Sequence, residues 1–246
     1  MLRELAHAAV WAYRHQTGKL VPTELATIAP WVAKGDTCVD VGAHGGAWLF
    51  PLSRMVGPGG AVIGFEALPY YARVLGITRR LLGRTNASIL NVAVTEDGSK
   101  VRMVWQDPSG ALLTGRTHIA GAEEAGVSDV EIAGTTLDAA CANVAGRISF
   151  LKIDIEGAEL GALRGGISTL RKHRPIVLSE VVEQHLQRYG HSTPMLFDFF
   201  ANLDYRPFVL VEGRLTSVRS EQAAQFNDVL FVPSGSALAD QLQRAG

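Results

Sequence analysis

The sequence predicts an α/β fold, a doubly wound and mostly parallel sheet with helices on both faces. Three observations predict it. Short apolar runs recur along the chain and end in glycine or an acid. Segments of helical spacing separate them. The runs are apolar at consecutive positions, which suits strands buried on both faces. A chain of 246 residues, 47% of them hydrophobic, is long enough for one α/β domain over residues 1–246.

The elements follow in order. Leu2, Leu5, Ala9, Val10 and Tyr13 fall at helical spacing, and a second helix is expected at about Pro22–Val32. Residues 1–34 are therefore read as N-terminal helices. Thr37–Val41 is a buried strand that breaks into Gly42-Ala43-His44-Gly45-Gly46, and a helix over Trp48–Met55 stops at Gly57-Pro58-Gly59-Gly60. Ala61–Glu66 (strand), Pro69–Leu82 (helix) and Ser88–Val94 (strand) continue the alternation.

Residues 95–136 interrupt it. Lys100–Gln106 and Asp129–Ala133 read as strands around a polar, glycine-rich stretch from Asp107 to Ser128. This insertion, between strands three and four, is expected to form a hairpin with a mobile loop that serves as a lid. Strands are then expected at Ile148–Asp154 and Ile176–Glu180, with one helix between them over Ala158–Lys172. A helix near Pro194–Leu203 and strands at Tyr205–Glu212 and Phe226–Val232, paired as an antiparallel hairpin, complete the chain.

Composition narrows the function. Net charge is −1 and no long basic run occurs, which argues against a nucleic-acid partner. No stretch reaches the ~18 apolar residues of a membrane span. Charges interrupt the N-terminal apolar segment too early for a signal peptide. Cys38 and Cys141 have no metal-site spacing. A reduced, cytoplasmic setting is expected.

The chemistry gathers at strand ends. In Asp40-Val41-Gly42-Ala43-His44-Gly45-Gly46 the bare backbone lets a ligand approach, and the following helix aims its free N–H groups at it. The spacing is not G-x-G-x-x-G, because His44 replaces the second glycine; this weakens a nicotinamide-cofactor reading. Glu66 ends the second strand, where an acid accepts hydrogen bonds from both ribose hydroxyls. Asp154 and Glu180 end two strands expected to be neighbours, about 4.8 Å apart. Two carboxylates there suit one shared Mg²⁺ or similar cation, which would lower the pKa of a substrate hydroxyl. Glu156 is a further ligand or a general base. Asp154 also suits a helix cap, and Glu156 a helix-dipole partner.

These motifs resemble the FkbM-type methyltransferases, a branch of the class I S-adenosylmethionine-dependent enzymes. The resemblance spans roughly residues 22 to 232. It rests on the Asp40–Gly46 turn, Gly64-Phe65-Glu66-Ala67-Leu68-Pro69, Asn91-Val92-Ala93-Val94 and Thr136-Leu137-Asp138. Its most specific part is Lys152-Ile153-Asp154-Ile155-Glu156-Gly157-Ala158-Glu159, followed by Leu163-Arg164-Gly165-Gly166.

The resemblance implies a Rossmann-like, seven-stranded sheet with a reversed final strand. It implies that Asp40, Gly42, Ala43, His44 and Gly46 hold the methionine part of S-adenosylmethionine. Glu66 and Ala67 would meet the ribose, and Ala93 the adenine. The implied reaction is O-methylation of a sugar, glycan or natural-product hydroxyl. Related metal-dependent enzymes carry acids where Asp154 and Glu180 stand. Two departures matter. His44 stands where the family usually has Asn. Gly157 stands where some metal-dependent relatives have a Lys or His base, so the base is sought elsewhere. His118, inside the insertion, is the first candidate, and His191 the second. An NAD-dependent oxidoreductase and a non-catalytic S-adenosyl-binding protein are the rival readings. Trp11 and Tyr13 give the first helix two possible uses, as cover for the sheet or as the face of a homodimer.

Overall fold

The computed structural model describes residues 1–105, 118–119 and 129–245. The strands run in chain order as β1 (Thr37–Val41), β2 (Ala61–Phe65), β3 (Ala87–Leu90), β4 (Ala93–Val94), β5 (Val101–Val104), β6 (His118–Ile119), β7 (Asp129–Ile132), β8 (Gly134–Thr135), β9 (Ile148–Ile153), β10 (Ile176–Glu180), β11 (Tyr205–Val211), β12 (Arg214–Ser217) and β13 (Asp228–Pro233). The α-helices are α1 (Leu2–Gln16), α2 (Leu25–Ile28), α3 (Leu49–Val56), α4 (Pro69–Leu81), α5 (Leu137–Cys141), α6 (Glu159–Arg164), α7 (Ile167–His173), α8 (Glu183–Gln187), α9 (Thr193–Ala201) and α10 (Ala237–Ala245).

The main sheet has the order β12-β11-β13-β10-β9-β1-β2-β3. Strands β3, β2, β1, β9 and β10 are parallel, and β13 runs antiparallel between β10 and β11. The doubly wound sheet with a reversed final strand is therefore present. Successive side chains along each strand enter opposite apolar layers. Cys38 and Phe150 pack toward α1, α3 and α4, while Val39 and Leu151 pack toward α6, α7 and α9. The chain winds outward from β1 to β3 and then returns to β9 beside β1. Ligands bind at such a switch point, outside the strands' carboxyl ends.

The sheet departs from the predicted seven strands by one. Glu212 and Gly213, both at positive φ, turn the chain from Val211 to Arg214, and β12 pairs with β11 as an eighth, edge strand. A two-residue turn with positive φ at both positions matches strand twist. β11 and β13 do pair antiparallel, but β13 also inserts beside β10 instead of ending a free hairpin.

Three other expectations change. The second N-terminal helix shortens to α2 and a 3-10 turn at Ala29–Trp31, because Pro30 has no N–H to continue it. Ser88–Val94 splits into β3 and β4. Between them the Asn91 amide donates to the carbonyls of Glu66 and Ala67, and β4 pairs with β8 instead. The single helix over Ala158–Lys172 breaks into α6 and α7 at Gly165-Gly166. A side chain on Gly165 would strike the carbonyls of Thr95 and Glu96, and one on Gly166 would strike Leu137.

The insertion contains an antiparallel sheet in the order β6-β5-β7. The two predicted insertion strands are thus β5 and β7. Apart from His118 and Ile119, the stretch Asp107 to Ser128 expected to form the mobile loop lies outside the described residues. Among the described residues, no helix is long and apolar enough to cross a membrane.

Candidate active site

A cavity of about 220 Å³ opens at the switch point. Its floor comes from Val41, Gly42, His44, Asp154, Ile155 and Glu156, and its far wall from Glu66, Ala67, Val92, Ala93 and Val94. Met103 of β5 and Ile119 of β6 close over it, so the insertion sheet forms part of the roof.

The glycine turn is fixed by backbone contact. Gly42 has φ +84°, and a Cβ there would collide with the Asp154 carbonyl. The amides of Gly42 and Ala43 both donate to the Phe65 carbonyl, at 3.0 and 2.9 Å. Gly46, also at positive φ, packs against Phe50. Ala43 and Gly46 shape the turn without lining the cavity. His44 lines it with φ +37°, and its ring packs edge-on against Trp11 and Tyr71. His44 is thus an aromatic-packed imidazole held by α1 and α4.

Glu66 Oε2 accepts from the His44 amide and Oε1 from the Leu68 amide, each at 2.9 Å. Each oxygen retains a lone pair for a hydroxyl at the cavity wall. Burial pushes the carboxyl up to about 7 despite these bonds. Asp40 lies beneath the turn, 1% exposed, and neither carboxylate oxygen has a hydrogen-bond partner. Burial raises it to about 6, and the nearby Lys152 charge opposes the shift.

The Lys152–Glu159 segment is organised by groups within it. Lys152 is 6% exposed, and its ammonium stands 2.8 Å from Asp154 Oδ2. Glu159 is almost wholly buried; its Oε1 accepts from the amides of Ile155 and Gly157 at 2.8 and 3.1 Å. That clamp holds Glu156 at φ +56° and Gly157 at φ +108°. Positive φ at a non-glycine costs about 1–3 kcal/mol and persists where surrounding structure enforces it. A Cβ on Gly157 would overlap the His185 carbonyl. The backbone of α8 at His185 and Leu186 is therefore pressed against Gly157, leaving no room for a side chain there.

That close approach brings His185 between two acids. Its Nδ1 lies 3.2 Å from Glu180 Oε2, hydrogen-bonded, and 3.2 Å from Glu156 Oε2. Glu156 Oε2 itself has no hydrogen bond. Burial, with Asp154 and Glu156 adding negative charge, pushes Glu180 up to about 8. Burial also raises Glu156, while the His185 charge opposes the shift.

The neighbouring-strand expectation for Asp154 and Glu180 holds, but the expected pair does not form the tight donor group. Among the described residues, one set of ligand atoms lies within 4.8 Å of one another, from Glu156, Glu180 and His185. Asp154 is turned to Lys152 instead. Of the predicted bases, His118 is buried on β6 and close enough for its charge to act on Glu156. His191 is bonded to the backbone of Gly157 and stands near Gly161 and Glu96, outside the cavity lining. The sequence reading missed Lys152 and His185. A lysine within an otherwise apolar strand was the available signal for Lys152. Nothing local marked His185, which reaches the acids through the fold.

A second cavity, about 160 Å³, lies between α2 and strands β10 to β13. Leu178, Phe208, Leu210 and Leu215 give apolar walls, and Glu24 and Asp228 a polar end. Asp228 pairs in register with Glu180.

Residues 40–207 match the Methyltransferase FkbM domain. No curated protein matches the chain. Among solved structures, the chain is similar to the methyltransferase FkbM of Methylobacillus flagellatus KT, with 18% identity and a TM-score of 0.49; the match covers 79% of this chain and 42% of that one. The chain thus spans less than half of that protein's length. A SAM-dependent methyltransferase from Aquifex aeolicus is 13% identical with a TM-score of 0.45, covering 88% of this chain and 95% of that one. A putative O-methyltransferase from Klebsiella pneumoniae is 11% identical with a TM-score of 0.47, covering 94% and 90%.

Proposed function

Because the chain belongs to the FkbM methyltransferase family, a family of S-adenosylmethionine-dependent enzymes, we propose that it transfers the methyl group to an acceptor hydroxyl. The observation that carries this reading is the position of Glu156. It lines the cofactor cavity and also belongs to the Glu180–His185 group. An acceptor oxygen held over that cavity lies beside this carboxylate, whose Oε2 is buried and faces His185 Nδ1 at 3.2 Å.

In this reading the Asp40–Gly46 turn holds the methionine part of the cofactor, Glu66 and Ala67 the ribose, and Ala93 the adenine. Bound S-adenosylmethionine would supply the methyl group, and the residues around the cavity would hold the acceptor oxygen in line with it. Positioning supplies most of the acceleration. Glu156 accepts the hydroxyl proton, helped by its raised pKa, which brings it nearer to working pH. His185 Nδ1 orients Glu156, and His118 on β6 stands near the same carboxylate. Residues 1–34 and strands β5 and β6 of the insertion are cover elements of one catalytic domain.

The same three side chains fit a divalent cation, being two carboxylates and one imidazole with clustered donor atoms. Such an ion would stabilise the developing alkoxide. The imidazole in the set suits Mn²⁺ better than Mg²⁺, which prefers oxygen ligands. The acceptor class proposed is a sugar or natural-product hydroxyl. The second cavity's apolar walls suit a hydroxyl borne on an apolar body better than a free sugar.

Calorimetric titration with S-adenosylhomocysteine, with and without Mg²⁺ or Mn²⁺, tests the cofactor site. Methyl transfer to a panel of hydroxyl acceptors, comparing wild type with Glu156→Gln, tests the chemistry. Undiminished turnover in Glu156→Gln would remove the proposed base.

A further inference from the structure

Helix α1 is apolar on two sides. Its inner side, with Ala8, Trp11 and Ala12, is buried against α4 and the glycine turn. Its outer side carries Leu2, Leu5, Ala6, Ala9, Val10 and Tyr13, all exposed. Leu2 is 83% exposed and Tyr13 58%. At about 100° per residue these six positions share one stripe on the solvent side, closed at its C-terminal end by exposed Gln16. A helix needing only to cover the sheet would be polar there.

The surroundings of the stripe are basic. Arg3 and Arg14 follow its edge on the helical wheel, and Lys19 lies over the Tyr13 ring at 5.7 Å. On α4, packed alongside, Arg73 and Arg80 are exposed. Residues 2–19 and 69–81 together hold Arg3, Arg14, Lys19, Arg73, Arg79 and Arg80 against one acid, Glu4, which is paired with Arg73. Arg73 is spent on Glu4 and Arg79 on the Ala87 carbonyl, so Arg3, Arg14 and Lys19 are the charges that border the stripe, in a chain whose other segments are net acidic.

We propose that the outer face of α1 docks on the surface of an anionic lipid bilayer. An apolar stripe bordered by Arg and Lys suits a helix lying in the membrane interface, its side chains in the headgroup–acyl boundary. Tyr and Lys at the end of the stripe suit the headgroup level. The basic flank selects this occupant over a second copy of the chain. A two-fold contact through the stripe would bring the two basic flanks together, whereas anionic headgroups neutralise them. Because the inner side of α1 holds the cofactor turn, docking places the active site next to the membrane surface.

Co-sedimentation of the full chain tests this, with vesicles of mixed phosphatidylglycerol and phosphatidylcholine and with phosphatidylcholine alone. The expected result is binding to the anionic vesicles that weakens with salt. Arg3→Gln and Arg14→Gln should each weaken it roughly fivefold, and the double variant Leu5→Glu, Tyr13→Glu should abolish it. Binding of S-adenosylhomocysteine by each variant reports intact folding. No binding to anionic vesicles, or equal binding by the Leu5, Tyr13 variant, overturns the proposal. A dimer in sedimentation velocity that the same variant dissociates also overturns it, since the occupant is then a second copy.

Discussion

Lys152 Nζ lies 2.8 Å from Asp154 Oδ2, and the same ammonium also acts on the unpartnered carboxyl of Asp40. One buried cation therefore balances the acid beneath the glycine turn and the acid at the neighbouring strand's end. Lys152→Met removes the counter-charge and leaves two acids facing a buried gap. Breaking a fully buried pair costs about 3–5 kcal/mol; the Asp154 side chain is 38% exposed, so water screens part of this loss and the expected cost is about 1–3 kcal/mol. Denaturant unfolding should show a loss of that order, larger at alkaline than at mildly acidic pH, where Asp40 takes up a proton.

Stability should fall as pH rises through neutrality. Asp40, Glu66, Glu159 and Glu180 are held at about 6, 7, 7 and 8, each chiefly by burial. Their ordinary values are 3.8 for Asp and 4.5 for Glu. Between the ordinary and raised values the folded protein holds more protons than the unfolded chain, so deprotonation favours unfolding. Stabilisation is complete below the ordinary values and is lost as pH rises through the raised ones. Thermal melting of the cofactor-free protein should drop from about pH 5 to about pH 8. Glu180→Gln should flatten the upper part of that curve, and a melting temperature that climbs with pH would contradict the assignment.

Glu66→Gln should weaken S-adenosylhomocysteine binding by about ten- to a hundredfold, the range for a hydrogen bond to a charged group. In the wild-type protein, affinity should rise as pH passes upward through about 7, where Glu66 becomes a full acceptor. Calorimetry across that range checks both effects.

Gly157→Ala should separate the two parts of the site. The added Cβ strikes the His185 carbonyl and moves the start of α8. Cofactor affinity should hold within a few-fold while methyl transfer falls by at least ~100-fold, the lower end of general acid–base contributions. His185→Ala should give the same split. Equal loss of cofactor affinity in both variants would place α8 in the cofactor site instead.

Much of this protein was legible without coordinates. Strand positions at Thr37, Ala61, Ile148 and Ile176 follow from apolar runs that need burial on both faces. The tight turn after β1 follows from glycines at a strand end. Glu66, Asp154 and Glu180 are visible because a chain reversal after each strand brings its end to one edge of the sheet. Helix breaks were not legible. Gly165-Gly166 sits within a helical pattern, and only contact with the Thr95–Glu96 backbone and Leu137 shows why α6 and α7 separate.

Local patterning thus determined the sheet, its switch point and the acids at its edge, because burial and turn chemistry are written in neighbouring residues. Tertiary structure alone decided how those acids are paired. Asp154 goes to Lys152, and Glu180 goes to His185 with Glu156 beside it. These partnerships depend on β10 lying beside β9 and on α8 reaching Gly157. Electrostatic partners are chosen by distance in space, which spacing along the chain does not record.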